Sequence, residues 1–237
     1  MSTTDIYDAL APHYREYAGR KTAYLTAIDR FILQNAPRKP AALLDIGAGD
    51  GVRGMALAHS LGAGITVLAD ASVEMIARCR QLKPTESWLC EAQQLPATRH
   101  RFDVILCLWN VLGHLPDRAS RVQALRAMQA VLAPEGAIFF DVNNRQNARN
   151  YGRLRVLGRM LLDAILPDER RGDAAFEWKI GATSFPAMGH LFTPAEIEAI
   201  IADSGLRVIR RVAADYTTGK ISASRHAGQL VYQLGNP

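Results

Sequence analysis

A chain of 237 residues, 49% hydrophobic and 22% charged, is long enough to form one domain that buries most of its apolar surface without covalent staples. This composition excludes the disordered, collagenous and disulfide-scaffold classes. The net charge of +5 is concentrated between Arg145 and Arg171, where seven arginines face only Asp163, Asp168 and Glu169; such a stretch reads as an anion-binding patch or as the solvated face of a helix.

Apolar residues at helical spacing (Ile6, Leu10, Tyr14, Tyr17, then Tyr24, Leu25, Ile28, Phe31, Ile32) predict helices over residues 5–35, broken at Gly19 and stopped by Pro37. The apolar run 41–46 ends in Gly47-Ala-Gly-Asp-Gly51 and reads as a buried strand running into a helix over 53–60. The unit repeats as strand 65–68, helix 73–81 and strand 88–90, then as strand 102–107 and a helix over 118–132. Pro134-Glu-Gly136 reads as a turn before the strand 137–142. Alternation of this kind predicts a parallel sheet with helices on both faces.

The rhythm changes after Val142. Residues 151–166 read as a helix and 175–180 as a short strand. Regular structure resumes at Thr193-Pro-Ala-Glu196, a capping box with proline at the first helical position. Two strands, 207–213 and 228–234, follow. An insertion of this length reads as a functional cap. The expected organisation is one domain over 1–237, with a helical lid over 1–38 and a substrate cap over 143–192.

Cys79, Cys90 and Cys107 lack metal-ligand spacing and read as reduced core thiols; no metal site is expected. The N-terminus lacks the basic and apolar regions of a signal peptide, and the apolar run Val104 to Trp109 is far short of the ~20 residues of a membrane helix. A cytoplasmic protein without a membrane partner is expected, as a monomer or homodimer.

The chemistry concentrates at strand ends. In Leu43-Leu-Asp-Ile-Gly-Ala-Gly-Asp-Gly51 the glycines let backbone approach a ligand, but Val52 stands where a GxGxxG pyrophosphate loop continues. Asp45 and Asp50 would repel a pyrophosphate and suit a ligand with a positive centre. Asp70, about 20 residues after the loop, is placed to take both hydroxyls of a ribose. Glu91 and the Ala92 N–H suit an adenine edge, and Phe102 to Leu115 opens onto the crevice.

These segments in this order (LDIGAGDG, LADAS, EAQQLP, FDVILCLWNVLGHL, LAPEGAIFF) resemble the class I S-adenosylmethionine-dependent methyltransferases over residues 41–142. The resemblance implies a Rossmann-like, doubly wound, mostly parallel seven-stranded α/β sheet, with the cap inserted between strands 5 and 6. It implies S-adenosyl-L-methionine as cofactor, leaving S-adenosyl-L-homocysteine. Binding roles fall on Asp45, Gly47, Ala48, Gly49, Asp70, Ala71, Glu91, Ala92 and Leu108. The segment Tyr14 to Arg20 resembles a lid that closes over the methionine carboxylate, with Arg20 first and Arg15 second as its salt-bridge partner.

For the acceptor, the fourth motif lacks the Asn/Asp-Pro-Pro-Tyr/Phe grip on planar amino groups, so a nitrogen or oxygen of a small metabolite is favoured over RNA. A non-catalytic cofactor-binding subunit stays open. His114 and His190 read as bases or as packing residues. Trp109, Asn110, Asn143, Asn144, Arg145 and Tyr151 are candidate acceptor contacts, and the arginines suggest an acidic acceptor with Arg145 as its anchor.

Overall fold

The computed structural model describes residues 3–180 and 183–237. In chain order they form α1 (Thr3–Leu10), α2 (Tyr14–Gly19), α3 (Thr22–Asn35), β1 (Ala42–Ile46), α4 (Val52–Leu61), β2 (Ile65–Asp70), α5 (Val73–Gln81), β3 (Glu86–Leu89) and β4 (Phe102–Cys107). Then come α6 (Arg118–Val131), β5 (Leu132–Val142), α7 (Ala148–Tyr151), α8 (Arg153–Ile165), β6 (Asp173–Ile180) and β7 (Thr183–His190). The chain closes with α9 (Pro194–Ser204), β8 (Arg207–Ala214), β9 (Ile221–Ser222) and β10 (Gln229–Gly235).

One sheet has the order β3-β2-β1-β4-β5-β10-β8-β9. β1 pairs in parallel with β2 and β4, as do β2 with β3 and β4 with β5; β10 is antiparallel to both β5 and β8. The sheet has eight strands rather than seven, because the two-residue β9 pairs with the end of β8.

The central strands are continuous apolar runs because both faces are covered. Leu44, Ile105, Cys107, Ile138 and Phe140 point to one core with α6 and α9. Leu43, Val104, Leu106 and Phe139 alternate to the other, against α3 and α4. α3 therefore belongs to the main core through Tyr24, Ile28, Phe31 and Ile32, and only α1 and α2 lie over the strand ends. β5 runs back through Pro134 to Leu132, which pairs with Phe102, so the expected turn is absorbed into strand.

The helix starts follow their caps. Ser72 accepts from Met75 N, Asp117 accepts from Ser120 N, and Thr193 with Glu196 closes the expected capping box.

The insert is built differently from its expectation. Gly152, with φ of 82°, divides the helical stretch into α7 and α8. The single predicted strand is one arm of a β6–β7 hairpin. α1 packs Ile6 and Leu10 against Phe185 and Ala187 of that hairpin, so the N-terminal segment and the insert share a small core of their own. Among the described residues, no helix is long and apolar enough to cross a membrane.

Candidate functional site

The glycine turn after β1 is dictated by backbone. Gly47, Gly49 and Gly51 have φ of 67°, 57° and 76°, a region that side chains rarely adopt. A Cβ at Gly49 would also lie 2.7 Å from the Tyr14 hydroxyl, so the turn is closed over by α2. Asp70 stitches this turn to the end of β2: its carboxylate accepts from Gly49 N at 2.8 Å and from Ser72 N at 2.9 Å. Burial pushes its pKa up to about 6 against those two hydrogen bonds.

Above the turn lies a cavity of about 280 Å³. Its wall includes Gly47, Gly49, Asp70, Ala71, Glu91, Ala92 and Leu108, all foreseen, with Tyr14 from α2. Thr4, Tyr7, Ser72, Val111 and Leu115 join them unforeseen. A second cavity of about 630 Å³ is lined by Asn110, Asn143, Tyr151, Tyr17, Arg20, Lys21, Phe176, Glu177 and Tyr216, among others. Tyr7, Tyr14, Trp109 and His114 line both cavities and form the seam between them.

The seam is held by strained backbone. Trp109 and Asn110 both have φ of 65°, unusual for one non-glycine residue and more so for two in succession. Asp141 of β5 secures the first, accepting from Trp109 N at 2.6 Å on one oxygen and from the Tyr24 hydroxyl at 2.6 Å on the other. The Asn110 side chain accepts from Asn143 N at 2.9 Å. The indole then stacks on Tyr17 with centroids 5.3 Å apart and donates to the Tyr216 hydroxyl at 3.0 Å.

His114 receives two segments at once. Its Nδ1 lies 3.3 Å from the Met188 carbonyl of β7 and its Nε2 lies 3.0 Å from the Tyr7 hydroxyl of α1. Burial pulls its pKa below the ordinary histidine value, so the ring is neutral at neutral pH. A carbonyl only accepts, so Nδ1 carries the proton and Nε2 accepts from Tyr7.

Several expected site residues lie elsewhere. His190 lines neither cavity: it is buried with Nδ1 2.7 Å from Asp173 and Nε2 2.6 Å from Glu196, and it pins the end of β7 to α9. With both nitrogens engaged by carboxylates, it has no free site to serve as a base. Arg145 is also buried, bonded at 2.9 Å to both oxygens of Asp163 on α8, so it braces the insert instead of meeting an acceptor. Asn144 is spent on the Arg225 and Gly228 carbonyls.

Asp45 and Ala48 do not reach the first cavity. They line a third, of about 350 Å³, which adjoins it at Gly47, Tyr14, Leu108 and Trp109. Asp45 lies under Gly54 of α4, and burial pushes its pKa up to about 7. Arg20 sits in the second cavity, bonded to Glu16 at 2.7 Å, and does not line the cavity of the glycine turn. Arg15 pairs with Asp50 at 2.9 Å.

Tyr7 was the principal residue missed. Its signal was present, since Tyr7, Tyr14 and Tyr17 form a stripe of hydroxyl-bearing rings at helical spacing. Phe176 and Tyr216 come from the hairpin and from the loop after β8, where nothing local marks them.

Residues 43–136 match the family model described as a methyltransferase domain. The chain is 30% identical over 146 residues to an uncharacterised protein of Methanocaldococcus jannaschii, covering 61% of this chain and 53% of that one. It is 28% identical over 131 residues to the glycine/sarcosine N-methyltransferase of Halorhodospira halochloris, covering 52% and 48%. These matches span about half the length of both relatives. Among solved structures, the CcbJ methyltransferase of Streptomyces caelestis superposes with a TM-score of 0.70 at 17% identity, covering 100% of this chain and 99% of that one.

Proposed function

We propose that the chain, whose residues 43–136 match a methyltransferase domain model, is a class I S-adenosylmethionine-dependent methyltransferase that moves the methyl group to a nitrogen or oxygen of a small-molecule acceptor. The observation that carries this reading is the pair of cavities sharing the wall Tyr7, Tyr14, Trp109 and His114, one beside the glycine turn and one under the insert.

The first cavity fits the cofactor. Asp70 lines this cavity with its carboxylate held by backbone N–H groups and by no side chain, which suits it to accept from vicinal hydroxyls. Val111, Leu115, Leu108 and Ala92 supply an apolar wall for a purine, with Glu91 at its edge to accept from an amino group. S-adenosylmethionine, when bound, supplies an electrophilic methyl group on a sulfonium sulfur.

What the chain adds is orientation and exclusion of water, and orientation alone can supply ~7–11 kcal/mol of a barrier. Tyr14 and Trp109 line all three cavities; Trp109 is held by Asp141, Tyr17 and Tyr216, and Tyr14 meets its indole edge-on at 5.9 Å, so the transfer point is walled by aromatic rings. His114 is the base: its neutral Nε2 takes a proton through the Tyr7 hydroxyl as the acceptor loses its own.

The insert's arginines favour a small acceptor over RNA. Arg145 and Arg171 pair with Asp163, Arg149 with Asp215 and Arg170 with Asp168, and Arg159 donates to the Arg145 carbonyl. A phosphate backbone would have to compete with each of these. Since Arg145 does not reach the second cavity, it offers no anchor for an acidic acceptor. The relative named as a glycine/sarcosine N-methyltransferase adds weight to a small amine.

Calorimetry should find S-adenosylhomocysteine bound one to one, with NAD not bound. A panel of small amines and hydroxy compounds should yield S-adenosylhomocysteine with at least one member. Absence of cofactor binding would end this reading, and tRNA as the sole productive acceptor would replace it.

A further inference from the structure

α8 leaves its apolar side uncovered. Of its residues only Val156 is buried, while Leu154 is 86% exposed, Leu157 53%, Leu161 58% and Ile165 75%. Met160, Leu162 and Leu166 are open as well. Leu154, Leu157 and Leu161 recur at i, i+3 and i+7, the spacing by which one helix offers a seam to another. The opposite side of α8 is already occupied: Arg159 donates to the Arg145 carbonyl and lies 4.4 Å above the Tyr151 ring, and Asp163 holds Arg145. Seven large apolar side chains, each more than a third exposed, exceed what a monomer ordinarily leaves to water. They amount to several hundred Å², of the order of the ~800 Å² that each partner contributes to a stable interface.

Two features bear on the occupant and its orientation. Gly158 stands at the middle of this face, and beyond its own stretch of helix backbone nothing among the described residues lies within 4 Å of where its Cβ would be. Glycine in an exposed helix interior costs about 1 kcal/mol against alanine, and no contact within the described residues requires it. A second helix crossing there does, because the missing side chain lets two backbones approach. The charges also bear on the orientation. Arg153 and Arg155 are exposed at the start of α8, whereas beyond its end Asp168 and Glu169 are balanced by Arg170 and Arg171. Antiparallel pairing about a two-fold axis at Gly158 keeps Arg153 and Arg155 of the two copies apart, whereas parallel pairing would bring all four together.

We infer that the occupant is a second copy of this chain, with α8 packed antiparallel on α8 about Gly158. The interface is independent of the chemistry in the cavities. It does border the second one, because Tyr151 lines that cavity and lies beneath Arg159 of the same helix.

Sedimentation of the full chain across a micromolar concentration series should give a species of twice the 26.0 kDa chain mass. Leu157→Glu and Leu161→Glu, both at exposed positions, should weaken that dimer at least roughly tenfold, as loss of a central apolar contact does. Their circular dichroism should match the parent. Gly158→Cys with diamide as oxidant should form a covalent dimer that the parent does not. A parent chain monomeric at every concentration, glutamate variants that stay dimeric, or no cross-link from Gly158→Cys would overturn the inference. So would flotation of the parent chain with phosphatidylcholine–phosphatidylserine vesicles that Leu161→Glu abolishes, which would assign the face to lipid.

Discussion

The glycine-turn side of the site and the insert side hold their polar groups in opposite ways. Around the turn, Asp70 accepts from Gly49 N and Ser72 N, at the ends of adjacent strands, and itself lines the cavity. In the insert, the charged groups are consumed by one another: Arg145 by Asp163, His190 by Asp173 and Glu196. Polar residues on the first side are thus available to a ligand, while those on the second hold a long insertion down. A charged residue beside a crevice is a binding group only when the fold leaves it an unused partner site.

The largest effect that would test this division comes from His190→Ala, which deletes a buried ring and takes a hydrogen-bond partner from the buried Glu196 carboxylate. Loss of a buried side chain together with such a bond costs roughly 3–5 kcal/mol. The melting temperature should fall by about 2–4 °C for each of those kcal/mol in a domain of this size, with S-adenosylhomocysteine affinity unchanged at a temperature where the variant is folded. A selective loss of turnover without loss of stability would return His190 to the catalytic list.

Asp45 gives the next largest effect, and it depends on pH. Its folded pKa of about 7 lies above its unfolded value near 3.9, so the folded state binds the proton more tightly. Its contribution to stability is fully present below the unfolded pKa and is lost as pH rises through 7. Asp45→Asn should therefore stabilise relative to the parent by up to a few kcal/mol at pH 8 and by much less at pH 5. Thermal denaturation across that range checks the sign, and a pH-independent difference would contradict it.

Asp70→Ala sharpens the comparison on the cofactor side. Calorimetry should show S-adenosylhomocysteine binding weakened by roughly 1–3 kcal/mol, whereas Arg145→Ala should leave it unchanged while lowering the melting temperature. Equal affinities for parent and Asp70→Ala would remove the assignment of the first cavity. The smallest effect is expected of Tyr7→Phe, which deletes one hydrogen bond to His114 worth about 1 kcal/mol and keeps the ring. Its turnover should fall more than its stability, and the fall should be largest at neutral pH and smallest at low pH, where His114 protonates and the proton acceptor is lost in parent and variant alike.

The alternating core and the glycine turn were legible in the amino-acid order because their determinants are local. Apolar runs, caps and glycines act within a few residues, and each of the four strand-end segments contributes residues to the first cavity. The insert was read as helix followed by one strand because the arm containing Pro186 and Gly189 has little strand propensity; pairing with β6 makes it β7. The destinations of Arg145, Asn144 and His190 depended on partners that the chain does not mark. Asp163, Gly228 and Glu196 lie 18, 84 and 6 residues away, respectively.

The order of residues by itself determined a parallel α/β sheet, a glycine turn after its first strand, and an acid at the end of its second. These follow from backbone conformation and burial, which neighbouring residues set. Only the tertiary structure decided which polar side chains stay available, because that is settled by the hydrogen-bond partner each meets when distant segments close together. His114 therefore joins α1 and β7 at the seam, and His190, read from sequence as its equal, is held between two carboxylates away from it.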